Sequence, residues 1–222
     1  MNAESSVETS IRYVVAGEKS VFYAADRARS YWPADEHRVR IHSMRPQAQQ
    51  LAIDRNGFVL VREPSAVRNF YDPDEVKRVY YPEVADLVKR LNGASKVIAF
   101  GEVARSDGTQ TAHGRCPAYG AHVDYGDRTV RQFVEDLLGR EVAPRWFTML
   151  YVLINLWRPI APVYRTPLAL CDASSVVRSD LNDSEVRGGL NDPRLYWPMP
   201  RPPVVAVFNT SPDTVDVLRM AF

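Results

Sequence analysis

The sequence predicts a mainly β protein with flanking helices, its strands arranged as an antiparallel sandwich or barrel. Three observations carry this. Proline (16) outnumbers glycine (11), which disfavours a helical bundle and suits many strand-to-loop junctions. The second half of the chain is a series of short β-prone runs punctuated by Pro and Gly. Helical periodicity is confined to the region before residue 93 and to a short run near residue 130. A length of 222 residues suits one domain, 1–222, with a helix-rich N-terminal half to about residue 105 and a β core over about 106–222. No internal repeat is present.

Along the chain, residues 1–10 are polar and read as a frayed tail. Ile11–Val15 is a short β-like run, and Val39–Ile41 and Gln50–Ile53 flank a turn region around Pro46. Asp54-Arg55-Asn56-Gly57 is a turn signal before β-prone Phe58–Val61, together predicting a hairpin that Pro64 ends. Residues 65–92 read as helical: Asp72 can cap, Pro73 suits the first position and Glu75 the first turn. Tyr81-Pro82 breaks the pattern. Val84, Leu87, Val88 and Leu91 then form one apolar face, stopped by Asn92-Gly93. Lys96–Phe100 is a strand candidate, 105–121 a loop, and Thr129–Leu138 a short helix ended by Gly139. Phe147–Leu156, the most apolar segment, predicts a central strand, with Thr166–Asp172 and Val204–Phe208 as two more. Residues 178–203 form a long polar, Pro-rich connection.

The charge balance narrows the function classes. Lys plus Arg is 28 and Asp plus Glu is 27, a net charge of +1, which gives no footprint for nucleic acid or an anionic membrane. The longest apolar stretch, Trp146–Trp157, is interrupted by Thr148 and Asn155 and is too short to span a bilayer. Met1–Ser10 lacks the apolar core of a signal peptide. Cys116 and Cys171 are too few for a disulfide scaffold. A soluble cytoplasmic protein with reduced thiols is expected, and a homodimer stays open.

The sharpest chemical feature is Ala121-His122-Val123-Asp124-Tyr125. In a strand, positions i and i+2 project to one side, so His122 and Asp124 would point together into a barrel. An imidazole and a carboxylate so placed are two members of the 2-His-1-carboxylate face of non-haem Fe(II) oxygenases. The same spacing also suits a hydrogen-bonded His–Asp pair at a loop. The second feature is Asn155-Leu156-Trp157-Arg158-Pro159, where an apolar strand ends in an amide and a guanidinium able to clamp a carboxylate. An Arg that reaches solvent past the strand end fits as well. His113, Cys116, His122 and Asp124 match no common zinc spacing, and neither cysteine has a nucleophile motif. Phosphate-binding glycine loops and Gly-x-Ser-x-Gly elbows are absent. His37 and His42 lie among Arg38, Arg40 and Arg45, a solvated basic face.

Several ordered blocks resemble one oxygenase-type family, which groups fungal gibberellin desaturases, asperfuranone-type hydroxylase/desaturases and the small component of the cephamycin methoxylase. They are Leu51–Val61, Val79–Leu87, Gly93-Ala94 with the run to Phe100, Arg105, Ala121–Tyr125, Asn155–Pro159 and Pro167–Ala173. The resemblance implies a double-stranded β-helix (jelly-roll) core. It also implies dependence on Fe(II) and 2-oxoglutarate, and hydroxylation or desaturation of natural products in secondary metabolism. By position, His122 and Asp124 match the first two iron ligands, and Asn155 and Arg158 are candidates for orienting 2-oxoglutarate or substrate. The family's third ligand is a His two residues before an Ala-Phe pair. Here Arg219 holds that position before Ala221-Phe222, no His follows His122, and the sequence ends before the family's downstream co-substrate Arg. Two readings follow: an active oxygenase, or a non-catalytic member of the same fold that serves as a binding partner or subunit.

Overall fold

A computed structural model describes residues 6–23, 26–106, 117–123, 134–182, 184–187, 195–196 and 214–220. The first strand, β1 (Ser6–Val14), pairs antiparallel with β3 (Ala34–His42), from Ser6 opposite His42 to Val14 opposite Ala34. The pairing begins at Ser6, so the expected frayed tail gives way to a strand four residues before Ser10. Alternation sorts this ribbon into two faces. Tyr13, Val39 and Ile41 form a buried cluster, with Ile11, Ala121, Ala169 and Cys171 packed against it. The opposite face carries Glu8 in ion pairs with Arg38 (3.3 Å) and Arg40 (2.6 Å). The arginines of the basic run therefore lie on a solvated face, as expected.

Strand β2 (Ser20–Tyr23) runs parallel to β6 (Ser184–Arg187), which pairs antiparallel with β7 (Leu195–Tyr196). A third sheet places β8 (Thr214–Met220) between β4 (Phe58–Arg62) and β5 (Leu153–Trp157). N-terminal strands thus pair with strands of the second half. Four strands, β1 to β4, precede residue 105.

The expected hairpin at 54–61 is absent. Residues Ile53–Asn56 make one helical turn, α1, closed by Gly57 at φ 79°, and β4 then pairs with the distant β8. Gly57 supplies the left-handed cap of a helical turn here and not the corner of a hairpin.

The helical region starts at Pro73 and not at residue 65, since 65–72 are irregular, and from Pro73 on it behaves largely as read. Asp72 Oδ1 accepts from the Asp74 and Glu75 amides at 3.0 and 3.3 Å and caps α2 (Pro73–Glu75). Tyr81-Pro82 does not break the helix. Pro82 has no N–H to offer the carbonyl four residues back, and the chain passes through a π-turn at Val76–Tyr80, where Tyr81 N–H reaches Val76 O. Helix α3 (Tyr81–Asn92) continues to Gly93 at φ 70°. Leu87 is its buried centre, with Ile53, Val59, Val61, Ile154 and Leu156 packed on it. Leu91 lies at the rim of this face, 36% exposed.

Other strand expectations need correction. Residues 96–100 form no strand, and Lys96 places its ammonium over the Trp146 ring at 5.0 Å. Residues 166–172 are irregular, because Thr166 sits at φ 45°, a left-handed conformation that a β-branched residue rarely adopts and that no strand contains. The apolar segment becomes a strand only at Leu153. Met149 and Leu150 before it are exposed, following the short α4 (Ala143–Trp146). Among the described residues β5 is a sheet edge and not the expected central strand. The 178–203 connection carries β6 and β7 instead of being a continuous loop. Residues 134–138 are helical; 129–133 and the Val204–Phe208 run lie outside the described residues. Among the described residues, no helix is long and apolar enough to cross a membrane.

Candidate functional site

His122 is positioned by β1. Residues 119–121 lie parallel beside that strand, with Arg12 N–H donating to Tyr119 O (3.4 Å) and Ala121 N–H to Arg12 O (2.9 Å). Ala121 enters the Tyr13 cluster. His122 follows it, half-buried, with Nδ1 2.8 Å from Gly120 O. A carbonyl oxygen only accepts, so Nδ1 carries the proton, and in the neutral ring the lone pair is then on Nε2. That arrangement fits a metal ion: ligating imidazoles commonly fix their tautomer by donating the other ring N–H to a backbone carbonyl. Asp124, His113 and Cys116 lie outside the described residues. Among the described residues, no group of three His, Cys, Asp or Glu side chains is placed to hold a metal.

The second motif lies on the other sheet. Ile154 and Leu156 pack on Leu87 of α3, so Asn155, between them, belongs to the opposite face of β5, in register with Leu218 of β8 and, through it, Phe58 of β4. Arg158 follows the strand end and does not run out to solvent. Its Nη2 donates to Glu63 O at 2.6 Å, its Nε to the Tyr80 hydroxyl at 3.3 Å, and its guanidinium lies 5.3 Å from the Tyr80 ring centroid. Phe70 meets Tyr80 edge-on at 5.3 Å. Burial pushes the Tyr80 phenol up, opposed by Arg158. Arg158 thus ties β5 to the end of β4 and to the π-turn. His122 is built onto the β1–β3 ribbon, whereas Asn155 and Arg158 are built onto the β4–β8–β5 sheet. In that sheet Arg219 stands opposite Ile154.

Another polar node joins distant segments. Buried Asn56 accepts at Oδ1 from Ala52 N–H (3.0 Å) and Arg55 Nε (3.3 Å) and donates from Nδ2 to Asp172 Oδ2 (2.8 Å). Asp172 Oδ1 accepts from the backbone N–H and hydroxyl of Ser174 at 2.9 and 2.7 Å. Burial alone would raise the Asp172 carboxyl, but its hydrogen bonds from Ser174 and Asn56 outweigh this and hold it below its ordinary value. A Cβ on Gly57 would come within 3.0 Å of Ala173 Cβ, so the two segments meet closely. Sequence reasoning took Asn56 for a turn residue and passed over Tyr80. The only signal for either was membership in the quoted blocks.

Residues 10–191 match the family described as "Oxidoreductase/YMDC permease-like domain". The chain belongs to this family. The chain is 33% identical over 159 residues to "Oxidoreductase AN1597" of Emericella nidulans, covering 65% of this chain and 52% of the relative. It is 33% identical over 150 residues to "Alpha-ketoglutarate-dependent dioxygenase phiK" of a fungal species, covering 64% and 53%. The chain therefore spans about half the length of these curated relatives. Among solved structures, the "iron and alpha-ketoglutarate-dependent endoperoxidase NvfI" superposes with a TM-score of 0.86 at 21% identity, covering 98% of this chain and 84% of that one. The chain shares that fold, and its resemblance to iron- and 2-oxoglutarate-dependent oxygenases is borne out by homologues bearing that name.

Proposed function

We propose that this protein is an Fe(II)/2-oxoglutarate-dependent oxygenase, a hydroxylase or desaturase of a natural-product small molecule, built as one domain on a jelly-roll core in the cytoplasm. The observation that supports this is the His122 ring, whose Nδ1 contact with Gly120 O suits a neutral imidazole that would offer Nε2 to a metal. His122 and Asp124 would hold the iron. Bound there with 2-oxoglutarate, the metal would supply the O2 activation that such oxidations need.

The chain's own groups do the rest. Gly120 fixes the ligand's tautomer. Asn155 offers an amide donor and acceptor from the β5 face turned away from α3, for orienting co-substrate or substrate. Arg158 contributes a fixed positive charge near the strand end, held by Glu63 and Tyr80. The chain's near-neutral net charge supports a small-molecule partner over nucleic acid or membrane.

The test is anaerobic titration with Fe(II) or Co(II), comparing the chain with His122→Ala. Saturable binding lost in the variant supports the reading, and equal binding by both overturns it. Arg219, which stays protonated and cannot ligate, favours the second reading, a non-catalytic member of the same fold. Under that reading neither protein binds metal.

A further inference from the structure

We infer that Trp32 is a positioning residue for His122, acting through Gly120; this rests on His122 being a metal ligand. The chain clamps Trp32 on both sides. Tyr31 exchanges backbone hydrogen bonds with Val21 of β2, both at 2.8 Å, and Pro33 O accepts from Val15 N–H at 2.9 Å. The indole between these anchors is delivered onto Gly120. A Cβ built on Gly120 would lie 2.3 Å from Cη2 and 2.6 Å from Cζ2 of Trp32, an impossible overlap. Gly120 does not occupy the left-handed region, so its backbone conformation does not demand glycine. The glycine instead lets the indole lie against the backbone: any side chain there would push the Trp32 ring aside.

The consequence reaches the ligand. Gly120 O is the acceptor for His122 Nδ1–H. A glycine peptide is the most freely rotating in the chain, so its carbonyl direction must be set from outside. Two contacts set it. Ala121 N–H is bound to Arg12 O, and the Trp32 ring covers the Gly120 Cα. Trp32 is itself 44% exposed, so it contributes little as a core residue and its removal leaves the main apolar clusters intact. Its role is local: it confines the peptide whose carbonyl selects the ligand tautomer.

The experiment compares the full chain with Trp32→Ala, Trp32→Phe and Gly120→Ala. Two quantities are read. The first is the His122 tautomer, from side-chain 15N shifts of metal-free protein with the imidazole neutral, assigned by subtraction with His122→Asn. The second is Co(II) affinity. The parent chain is expected to show the Nδ1–H form. Trp32→Ala and Gly120→Ala should mix the two tautomers and lower Co(II) affinity about tenfold, the lower end of what loss of a ligand's hydrogen-bond partner costs. Trp32→Phe, which keeps a ring over the glycine, should restore the tautomer and bring affinity back to within about threefold of the parent. Far-UV circular dichroism checks that each variant is folded, and Trp32→Phe serves if Trp32→Ala is not. If Trp32→Ala keeps both the parent tautomer and the parent affinity, the positioning role is wrong, while His122 remains a ligand. If the tautomer shifts but the parent chain binds no Co(II), Trp32 still orients the ring and it is the ligand reading that fails.

Discussion

Arg158→Met separates two roles that a guanidinium at this strand end can play. The substitution keeps much of the aliphatic stem and removes the charge and all donors. In the fold it deletes the 2.6 Å bond to Glu63 O, the longer 3.3 Å bond to the Tyr80 hydroxyl and the stacking at 5.3 Å on the Tyr80 ring. A charged donor on a carbonyl contributes roughly 1.5–3 kcal/mol and a partly exposed cation–π contact about 0.5–1. The side chain is only half-buried and the terms are not additive, so about 2–3 kcal/mol is expected. With a urea m-value of about 3 kcal/mol per molar, upper range for a chain this size, the unfolding midpoint should fall by about 1 M. Arg158→Lys should recover less than half of this, because an ammonium cannot span Glu63 and Tyr80 together. The assay is urea unfolding followed by tryptophan fluorescence on metal-free protein. A midpoint within about 0.2 M of the parent, combined with lost 2-oxoglutarate binding, would refute the fold-locking argument and assign the guanidinium to the co-substrate alone.

Three further outcomes test other parts of the molecule. Asn56→Ala leaves the half-buried Ala52 amide and one Asp172 oxygen without their partner, and should lower stability by about 1–2 kcal/mol in thermal or urea unfolding. Asp172 is held below its ordinary carboxylate value of 3.8, so it contributes stability above that pH and loses it as pH falls through the folded value; unfolding titrations from pH 6 to pH 2 should show a shallower acid decline for Asp172→Asn. Arg219→His should raise Co(II) affinity by at least about tenfold if this position supplies the third ligand; an unchanged affinity means that it does not.

The helix signals were legible because they are local. Asp72 caps, Pro73 follows it, Gly93 closes, and Val84, Leu87 and Val88 are buried at the spacing read from the sequence. Pairing partners were not legible, because period-two alternation says which face a residue takes and not which strand lies beside it. Phe58–Arg62 was recognised as a strand, but its partner is β8 and not a neighbour across the Asn56-Gly57 turn. The apolarity of Phe147–Leu156 overstated the strand, since apolar character alone does not place Met149 and Leu150 inside. The hydrogen bond that prepares His122 was invisible, because its acceptor is a backbone carbonyl and its wall is a tryptophan far away in sequence.

The blocks that carry the family resemblance meet in pairs, and this bears on what the resemblance establishes. Leu51–Val61 joins Pro167–Ala173 through Asn56 and Asp172, and Val79–Leu87 joins Asn155–Pro159 through Tyr80 and Arg158. In both pairs the polar residues bond to each other and to backbone groups, so their bonding is first of all a requirement of the fold. The chemistry is asked of a much smaller set around His122. A chain can therefore retain every locking block, superpose on an oxygenase over nearly its full length, and still differ at the few atoms that hold iron. Overall similarity cannot weigh Arg219 against a histidine, because neither the Asn56–Asp172 nor the Tyr80–Arg158 contact involves it. Only a measurement made at the metal site itself, binding to the parent chain against His122→Ala and Arg219→His, reads the part of the molecule on which the two functional readings differ.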